Sequence, residues 1–289
     1  MILIADCGST KIDWCVADYS VSNNPIVKRF ETCGMNAVLL TPEEMRERIS
    51  QEMLPQLDTD LANKITDVYF YGAGCISPAV CGNVADAIRH SLPNAKVEVA
   101  TDLLGAARAL CGRRRGVACI LGTGSNSCYY DGEKIARNVS PLGYILGDEG
   151  SGAVLGKLLV GNVLKGQLPD DLCEAFLKQY DLDNLSIIDR VYRKPQPNRF
   201  LASLSPFIKQ NIDRPEMHQM AVEAFRAFFK RNLDNYKTEA PEGCKANFIG
   251  SIAHHYRDVL SEAAKDSGWE IGIIEKSPMD GLIEYHRNF

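Results

Sequence analysis

One order of local structure occurs twice along this chain: an apolar strand, a turn of glycine and hydroxyl residues, and two further strands. In the first copy the strands cover 2–6, 12–17 and 26–32, separated by Gly8-Ser9-Thr10 and Ser22-Asn23-Asn24-Pro25. In the second they cover 117–121, 127–130 and 135–139, separated by Gly122-Thr123-Gly124-Ser125 and by Asp131-Gly132, a good hairpin signal. Each meander leads into helices and strands. After the first, Thr41 and Pro42 open a helix running to about 54, and strands 68–71 and 97–100 alternate with helices 78–91 and 103–110. After the second, 151–236 is nearly all helix, and Met217, Met220, Ala221, Ala224, Phe225, Phe228 and Leu233 recur at helical spacing and mark core. A strand at 246–249, Gly250-Ser251, a helix to about 267, a strand at 270–275 and a closing helix from 279 complete the pattern. Strands alternating with helices behind a meander imply a mixed sheet covered by helices. The expected class is α/β in two lobes, duplicated in organisation rather than in sequence.

The break falls at Cys111-Gly112-Arg113-Arg114-Arg115-Gly116, where periodicity stops and restarts. It gives domains 1–112 and 113–289, the second with a helical insertion at about 151–236 and a last helix free to pack back on the first lobe. A length of 289 residues suits two domains of ordinary size. With 45% hydrophobic and 24% charged residues the chain is globular, and a net charge of −5 speaks against a nucleic-acid partner. The apolar start Met1-Ile2-Leu3-Ile4-Ala5 is far short of a signal-peptide core or a membrane span, so no membrane and a cytoplasmic location are expected. The ten cysteines form no C-x-x-C pair or metal pattern and are read as reduced, mostly buried small hydrophobes. Arg113-Arg114-Arg115 is read as a solvated turn and His254-His255 as a helix surface.

Chemistry concentrates in a few places. Asp6-Cys7-Gly8-Ser9-Thr10-Lys11 sets a carboxylate at a strand end ahead of a glycine and two hydroxyls. Such a turn can offer N–H groups and hydroxyls to a phosphate while the carboxylate orients a hydrated cation, although alone it is as well an ordinary hairpin. Gly122-Thr123-Gly124-Ser125-Asn126 tips that balance, because two phosphate hairpins in equivalent places could face each other across a cleft. Neither fits G-x-x-x-x-G-K-[ST] or the dinucleotide G-x-G-x-x-G context. Asp102 follows strand 97–100 and suits either an N-cap, with Thr101, or a general base for an attacking hydroxyl. Asp148 and Glu149 precede a helix, where acidic charge is commonplace, and amides and carboxylates suit sugar hydroxyls.

These elements, in order and over essentially the whole chain, resemble the phosphate-1, phosphate-2, sugar-loop and adenosine elements of the sugar kinase, heat-shock chaperone and actin ATPase superfamily. Within it the chain is most similar to the N-acetylglucosamine kinases and the ATPase family that also contains the activators of benzoyl-CoA reductase and 2-hydroxyacyl-CoA dehydratase. The resemblance implies two ribonuclease-H-like, actin-like ATPase lobes with an interlobe cleft. It implies nucleotide and phosphate binding by Asp6, Gly8, Ser9, Thr10, Lys11, Gly122, Thr123, Gly124, Ser125, Gly250 and Ser251, with Mg²⁺ held through water by Asp6. It makes Asp102 the catalytic base and gives sugar contacts to Asn36, Asp102, Thr123, Asn126, Gly143 and Asp148. The implied reaction moves the γ-phosphoryl of ATP to the 6-hydroxyl of an N-acetylated amino sugar, N-acetylglucosamine by preference. The implied partner is that small molecule, and a homodimer is allowed.

The sequence departs from the family in two places: Ser251 replaces the second glycine of the late motif, and 141–146 lacks the tryptophan often found in the sugar loop. Two rival functions are weaker. An iron–sulfur ATPase activator needs a close cysteine pair flanking a Gly-rich turn, and Cys75 and Cys81 are the nearest in sequence. A noncatalytic ATP-dependent switch is disfavoured by the retained Asp102 and the lack of an appended substrate-binding domain.

Overall fold

The computed structural model describes residues 1–8, 10–20, 24–241 and 243–287, so Ser9, Ser22 and Asn23 lie outside the described residues. The chain divides into two compact units. The first holds Met1–Arg114, Gly132–Lys134 and the segment from Pro278 on; the second holds Arg115–Asp131 and Ile135–Ser277. The division falls two residues beyond the break read at 112, and the last helix belongs to the first unit.

The first unit contains β1 (Ile2–Cys7), β2 (Lys11–Ala17), β3 (Ile26–Cys33), α1 (Pro42–Arg48), α2 (Thr59–Lys64), β4 (Asp67–Gly72), α3 (Pro78–Ser91), β5 (Lys96–Thr101) and α4 (Asp102–Cys111). Its sheet runs β3-β2-β1-β4-β5, with β1 antiparallel to β2 and parallel to β4. Because side chains alternate along a strand, β1 feeds two cores. Leu3, Ala5 and Cys7 join Met45, Phe70, Val84 and Ile88 on one face. Ile4 joins Cys15, Tyr71 and the C-terminal helix residues Met279, Leu282 and Ile283 on the other.

The first helix obeys its start signal but not its expected length. Thr41 and Glu44 form a reciprocal capping box ahead of Pro42. The α-helix then ends at Arg48 and gives way to a π turn, Ile49–Met53, and a 3₁₀ turn, Leu54–Gln56. Pro55 has no N–H to continue the α ladder there. Helix α2, absent from the sequence reading, starts at Asp58, whose side chain accepts the Leu61 N–H at 2.7 Å.

The second unit contains β6 (Gly116–Leu121), β7 (Ser125–Tyr130), β8 (Ile135–Asn138), α5 (Gly143–Leu146), α6 (Gly152–Leu164), α7 (Asp170–Tyr180), α8 (Asn184–Tyr192), α9 (Pro197–Gln210), α10 (Pro215–Arg231), β9 (Ala246–Ile249), α11 (Ser251–His255), α12 (Arg257–Asp266) and β10 (Ile271–Glu275). Its sheet runs β10-β9-β6-β7-β8, which is the first order with each strand replaced by its counterpart five later. The antiparallel and parallel pairings correspond as well. Two mixed five-stranded sheets of one topology are thus the physical form of the duplication.

The α10 residues Met217, Met220, Ala221, Ala224, Phe225 and Phe228 and, beyond the helix, Leu233 are all buried, in one core with Phe248 of β9. The single helix expected after Gly250 is broken at Tyr256 (φ −104°, ψ 20°). The Tyr256 ring is buried and its hydroxyl donates to the Ser205 carbonyl at 2.6 Å, a contact that fixes the residue between α11 and α12. None of the ten cysteines is in a disulfide, and Cys7, Cys15, Cys75, Cys111, Cys119 and Cys128 are buried. Among the described residues no helix is long and apolar enough to cross a membrane.

Candidate active site

In the first unit the candidate residues Asp6 and Asp102 lie where β1 and β5 end. Asp6 precedes the β1–β2 turn, which the Gly8 N–H closes on the Lys11 carbonyl at 3.0 Å. Its strand partners are Asp13 on β2 and Tyr71 on β4. Burial, with repulsion from Asp102 and Asp13 and a weaker opposing pull from Lys11, pushes the Asp6 carboxyl up to about 7. Asp102 opens α4. Thr101 caps that helix by accepting the Leu104 N–H, and Asp102 Oδ1 accepts the Leu103 N–H at 2.8 Å. That bond orients the carboxyl. Burial raises its proton affinity as well, against backbone hydrogen bonds that lower it. Capping and a carboxyl with basic character therefore coexist, the cap being mainly Thr101.

Asn36 lies in a turn that its own side chain makes. Oδ1 accepts the Val38 N–H at 3.2 Å, and the Leu39 N–H reaches the Asn36 carbonyl at 3.0 Å. Gly74 (φ 83°) backs this turn so closely that a Cβ there would sit 2.3 Å from Oδ1. The Asn36 amide nitrogen is thus the atom left for a ligand. Lys11 makes an ion pair with Glu31 of β3, so its ammonium is engaged along the sheet edge. Thr10 is exposed, and its carbonyl accepts the Gly34 N–H at 2.9 Å. Asp13 and Gly74 were not singled out from sequence; the Lys11-Ile12-Asp13 alternation was the available signal for the first.

In the second unit the β6–β7 hairpin is the hub. Gly122 N–H closes it on the Gly124 carbonyl at 2.9 Å. The first two amides of α6 dock on it, Gly152 to the Gly122 carbonyl at 2.9 Å and Ala153 to the Thr123 carbonyl at 3.1 Å. Ser151 caps α6 by accepting the Val154 N–H. Asp148 reaches the hairpin through Oδ1, which accepts the Ser125 N–H at 3.3 Å. Burial pushes the Asp148 carboxyl up to about 6, with Glu149 adding to the rise and the Ser125 N–H and Lys157 opposing it. Among the described residues the Thr123 and Gly124 N–H groups have no hydrogen-bond acceptor, as a phosphate cradle requires.

At Gly124 space, and not the backbone dihedral, favours the absence of a side chain. Its φ is not positive; a Cβ would instead lie 3.0 Å from Asp148 Oδ2. At Gly250 the backbone itself demands glycine: φ is 122°, and a Cβ would fall 2.2 Å from the Leu121 carbonyl oxygen. Ser251 is exposed at the first position of α11. Ser125 is buried. Asn126 Oδ1 already accepts the Ser127 N–H and Asn138 Nδ2, each at 2.9 Å, which leaves its amide nitrogen. Gly143 (φ 73°) is exposed at the first position of α5, ahead of Asp148.

No protein-family model and no curated protein matches the chain. Solved structures do. A "putative N-acetylglucosamine kinase" from Porphyromonas gingivalis is 51% identical over 100% of this chain and 99% of its own, with a TM-score of 0.94. A second protein so named, from Chromobacterium violaceum, is 17% identical over 99% of both chains with a TM-score of 0.72. A ROK family glucokinase from Streptomyces griseus, solved with glucose and AMPPNP, is 14% identical over 98% of this chain and 97% of its own, with a TM-score of 0.59. The last two share the fold. Duplicated sheets, the hairpin and carboxyl constellation and full-length identity above one half together mean that the chain belongs to the sugar-kinase family of the Porphyromonas protein, within the actin-like ATPase fold.

Proposed function

We propose that this protein transfers the γ-phosphoryl of ATP to the 6-hydroxyl of an N-acetylated amino sugar, N-acetylglucosamine by preference. The observation that carries the reading is Asp102: a carboxyl oriented through one oxygen, with raised proton affinity, at the strand-end edge that also bears Asp6. A base of raised pKa takes the hydroxyl proton as the new P–O bond forms. The free Thr123 and Gly124 N–H groups hold phosphate oxygens, and Gly250 lets the adenosine element lie directly on that hairpin. Asp148 and the amide nitrogens of Asn36 and Asn126 engage sugar polar groups.

Among the described residues no group of three or more His, Cys, Asp or Glu side chains could hold a metal. A hard carboxylate crowded by two others nonetheless fits a hydrated dication, so Asp6 would hold Mg²⁺ through water, where the ion neutralises phosphate charge. A coupled ADP-release assay across N-acetylglucosamine, N-acetylmuramic acid, glucosamine and glucose tests the reading. Turnover should be fastest with an N-acetylated sugar; ATP turnover indifferent to every sugar would overturn it and favour the noncatalytic switch.

A further inference from the structure

Glu149 is the member of Gly147-Asp148-Glu149-Gly150-Ser151 that has no role so far. Its Oε1 lies 2.5 Å from Nε of Arg231 at the end of α10, and its Oε2 accepts Asn232 Nδ2 at 3.4 Å. The Glu149 side chain is 15% exposed, and Asn232 is buried with Nδ2 also donating to the Phe228 carbonyl. This anchor sits beside an uncommon backbone. Asp148 has φ 55°, a left-handed conformation that few non-glycine residues adopt. Gly150 follows at φ 71°, where a Cβ would come within 3.2 Å of Phe225 and Phe228 of α10. Asp148 N–H donates to the Pro141 carbonyl at 2.9 Å, and the Ser151 N–H returns to the Asp148 carbonyl at 3.1 Å. The turn is therefore tied to the 141–147 loop, to α10 and, through Asp148, to the β6–β7 hairpin.

We propose that Glu149 is a positioning residue for Asp148: its contacts with Arg231 and Asn232 hold the 147–150 turn in the left-handed form that keeps the Asp148 carboxyl on the Ser125 N–H. The inference rests on the reading of Asp148 as a sugar ligand only where turnover is concerned. An unheld turn would relax toward commoner backbone angles and withdraw that carboxyl from the hairpin. The charged and polar groups that face Asp148 are Glu149 on its own turn, Lys157 on α6 and the Ser125 N–H on β7. They give two substitutions opposite signs. Glu149→Gln keeps one oxygen for Arg231, gives up the 3.4 Å acceptor of Asn232 Nδ2 and removes a charge that raises the Asp148 pKa, so that pKa falls. Arg231→Ala releases the turn, Asp148 loses the Ser125 N–H that lowers its pKa, and the pKa rises.

The test is a titration of the Asp148 carboxyl by ¹³C NMR, assigned with Asp148→Asn, in wild type, Glu149→Gln and Arg231→Ala, beside steady-state kinetics. The expected result is a shift down in the first variant and up in the second. Sugar KM in Arg231→Ala should rise about 10-fold or more with ATP KM within threefold, and Arg231→Lys should recover most of it. Shifts of one sign, unchanged titrations, or a loss of ATP and sugar affinity in equal measure would overturn the proposal. If the titrations move as stated while no sugar stimulates ATP turnover, the positioning role stands and the sugar reading falls.

Discussion

Replacing Gly250 with alanine should damage the protein far more than restoring glycine at its neighbour. The residue sits at φ 122° and ψ 161°, a region that only glycine populates freely, which costs an L-residue about 1–3 kcal/mol. The new Cβ would also fall 2.2 Å from the Leu121 oxygen and 2.7 Å from its carbonyl carbon. Both atoms are backbone at the end of β6, so no rotamer relieves the overlap, and overpacking of this kind adds about 1–3 kcal/mol. The middle of the combined range, about 4 kcal/mol, lowers the melting temperature by roughly 8–16 °C at ~2–4 °C per kcal/mol. Relief by moving β6 would displace the β6–β7 hairpin and weaken nucleotide binding with it. Ser251→Gly, by contrast, changes an exposed first-turn position and should shift melting by no more than about 3 °C. Calorimetric melts and titration with a fluorescent ATP analogue measure both effects. A Gly250→Ala protein that melts within about 3 °C of wild type and binds the analogue normally refutes the reasoning.

Asp102→Asn should leave ATP and sugar binding within severalfold and cut turnover by about 10²–10⁴, as general-base loss does; near-normal turnover would reduce Asp102 to a helix-start residue. Asn36→Asp keeps Oδ1 for the Val38 N–H and removes the donor nitrogen, so the preference for N-acetylglucosamine over glucose should shrink by roughly 5–150-fold, the equivalent of about 1–3 kcal/mol. Equal kcat/KM changes for both sugars would remove Asn36 from recognition. Gly124→Val should raise sugar KM and not merely lower the melting temperature, because its Cβ presses on Asp148 Oδ2; a variant that melts early but keeps both KM values would show the turn to be only structural. The Asp148 carboxyl is raised to about 6, so its charged form is gained as pH climbs through that value, and sugar kcat/KM should rise between about pH 5 and 7 and then level. A profile flat across that window would disconnect Asp148 from the sugar.

Local signals carried most of the fold. Thr41 and Thr101 each accept a first-turn N–H where a hydroxyl ahead of a helix said they would, and both meanders and the α10 stripe follow their periodicities. What failed was set by contacts distant in sequence or by competing helix geometries. Met45, Ile49, Met53 and Leu57 are buried at a spacing of four that an α-helix also satisfies, so the π and 3₁₀ turns after Arg48 leave no mark on the pattern, and the break at Tyr256 depends on Ser205, fifty-one residues away. Among the candidate residues, residue types and spacing put Asp6 and Asp102 at strand ends and Asp148 in the turn before α6, where the fold has them. They could not show that Glu31 engages Lys11, that Asn138 takes the Asn126 oxygen, or that Gly124 is small to spare a side chain rather than to permit a dihedral. Each of those depends on a residue that only the folded sheet brings near.

The C-terminal helix bears on how the protein comes to be folded at all. Ile4, Cys15 and Tyr71 are covered by Met279, Leu282 and Ile283, and the Tyr19 hydroxyl donates to the Ile283 carbonyl at 2.6 Å, 264 residues along the chain. During synthesis the first sheet emerges from the ribosome long before its cover. Roughly 160 residues separate Arg114 from Pro278, an interval of about 10–30 s at ~5–20 residues per second. Through that interval only α4 covers that face of the first sheet, and the part that the last helix will bury stays open to chaperones or to a neighbouring nascent chain, while the second unit, whose strands and helices lie between 115 and 277, can close on itself. The half of the molecule that is made first is therefore the half that is finished last.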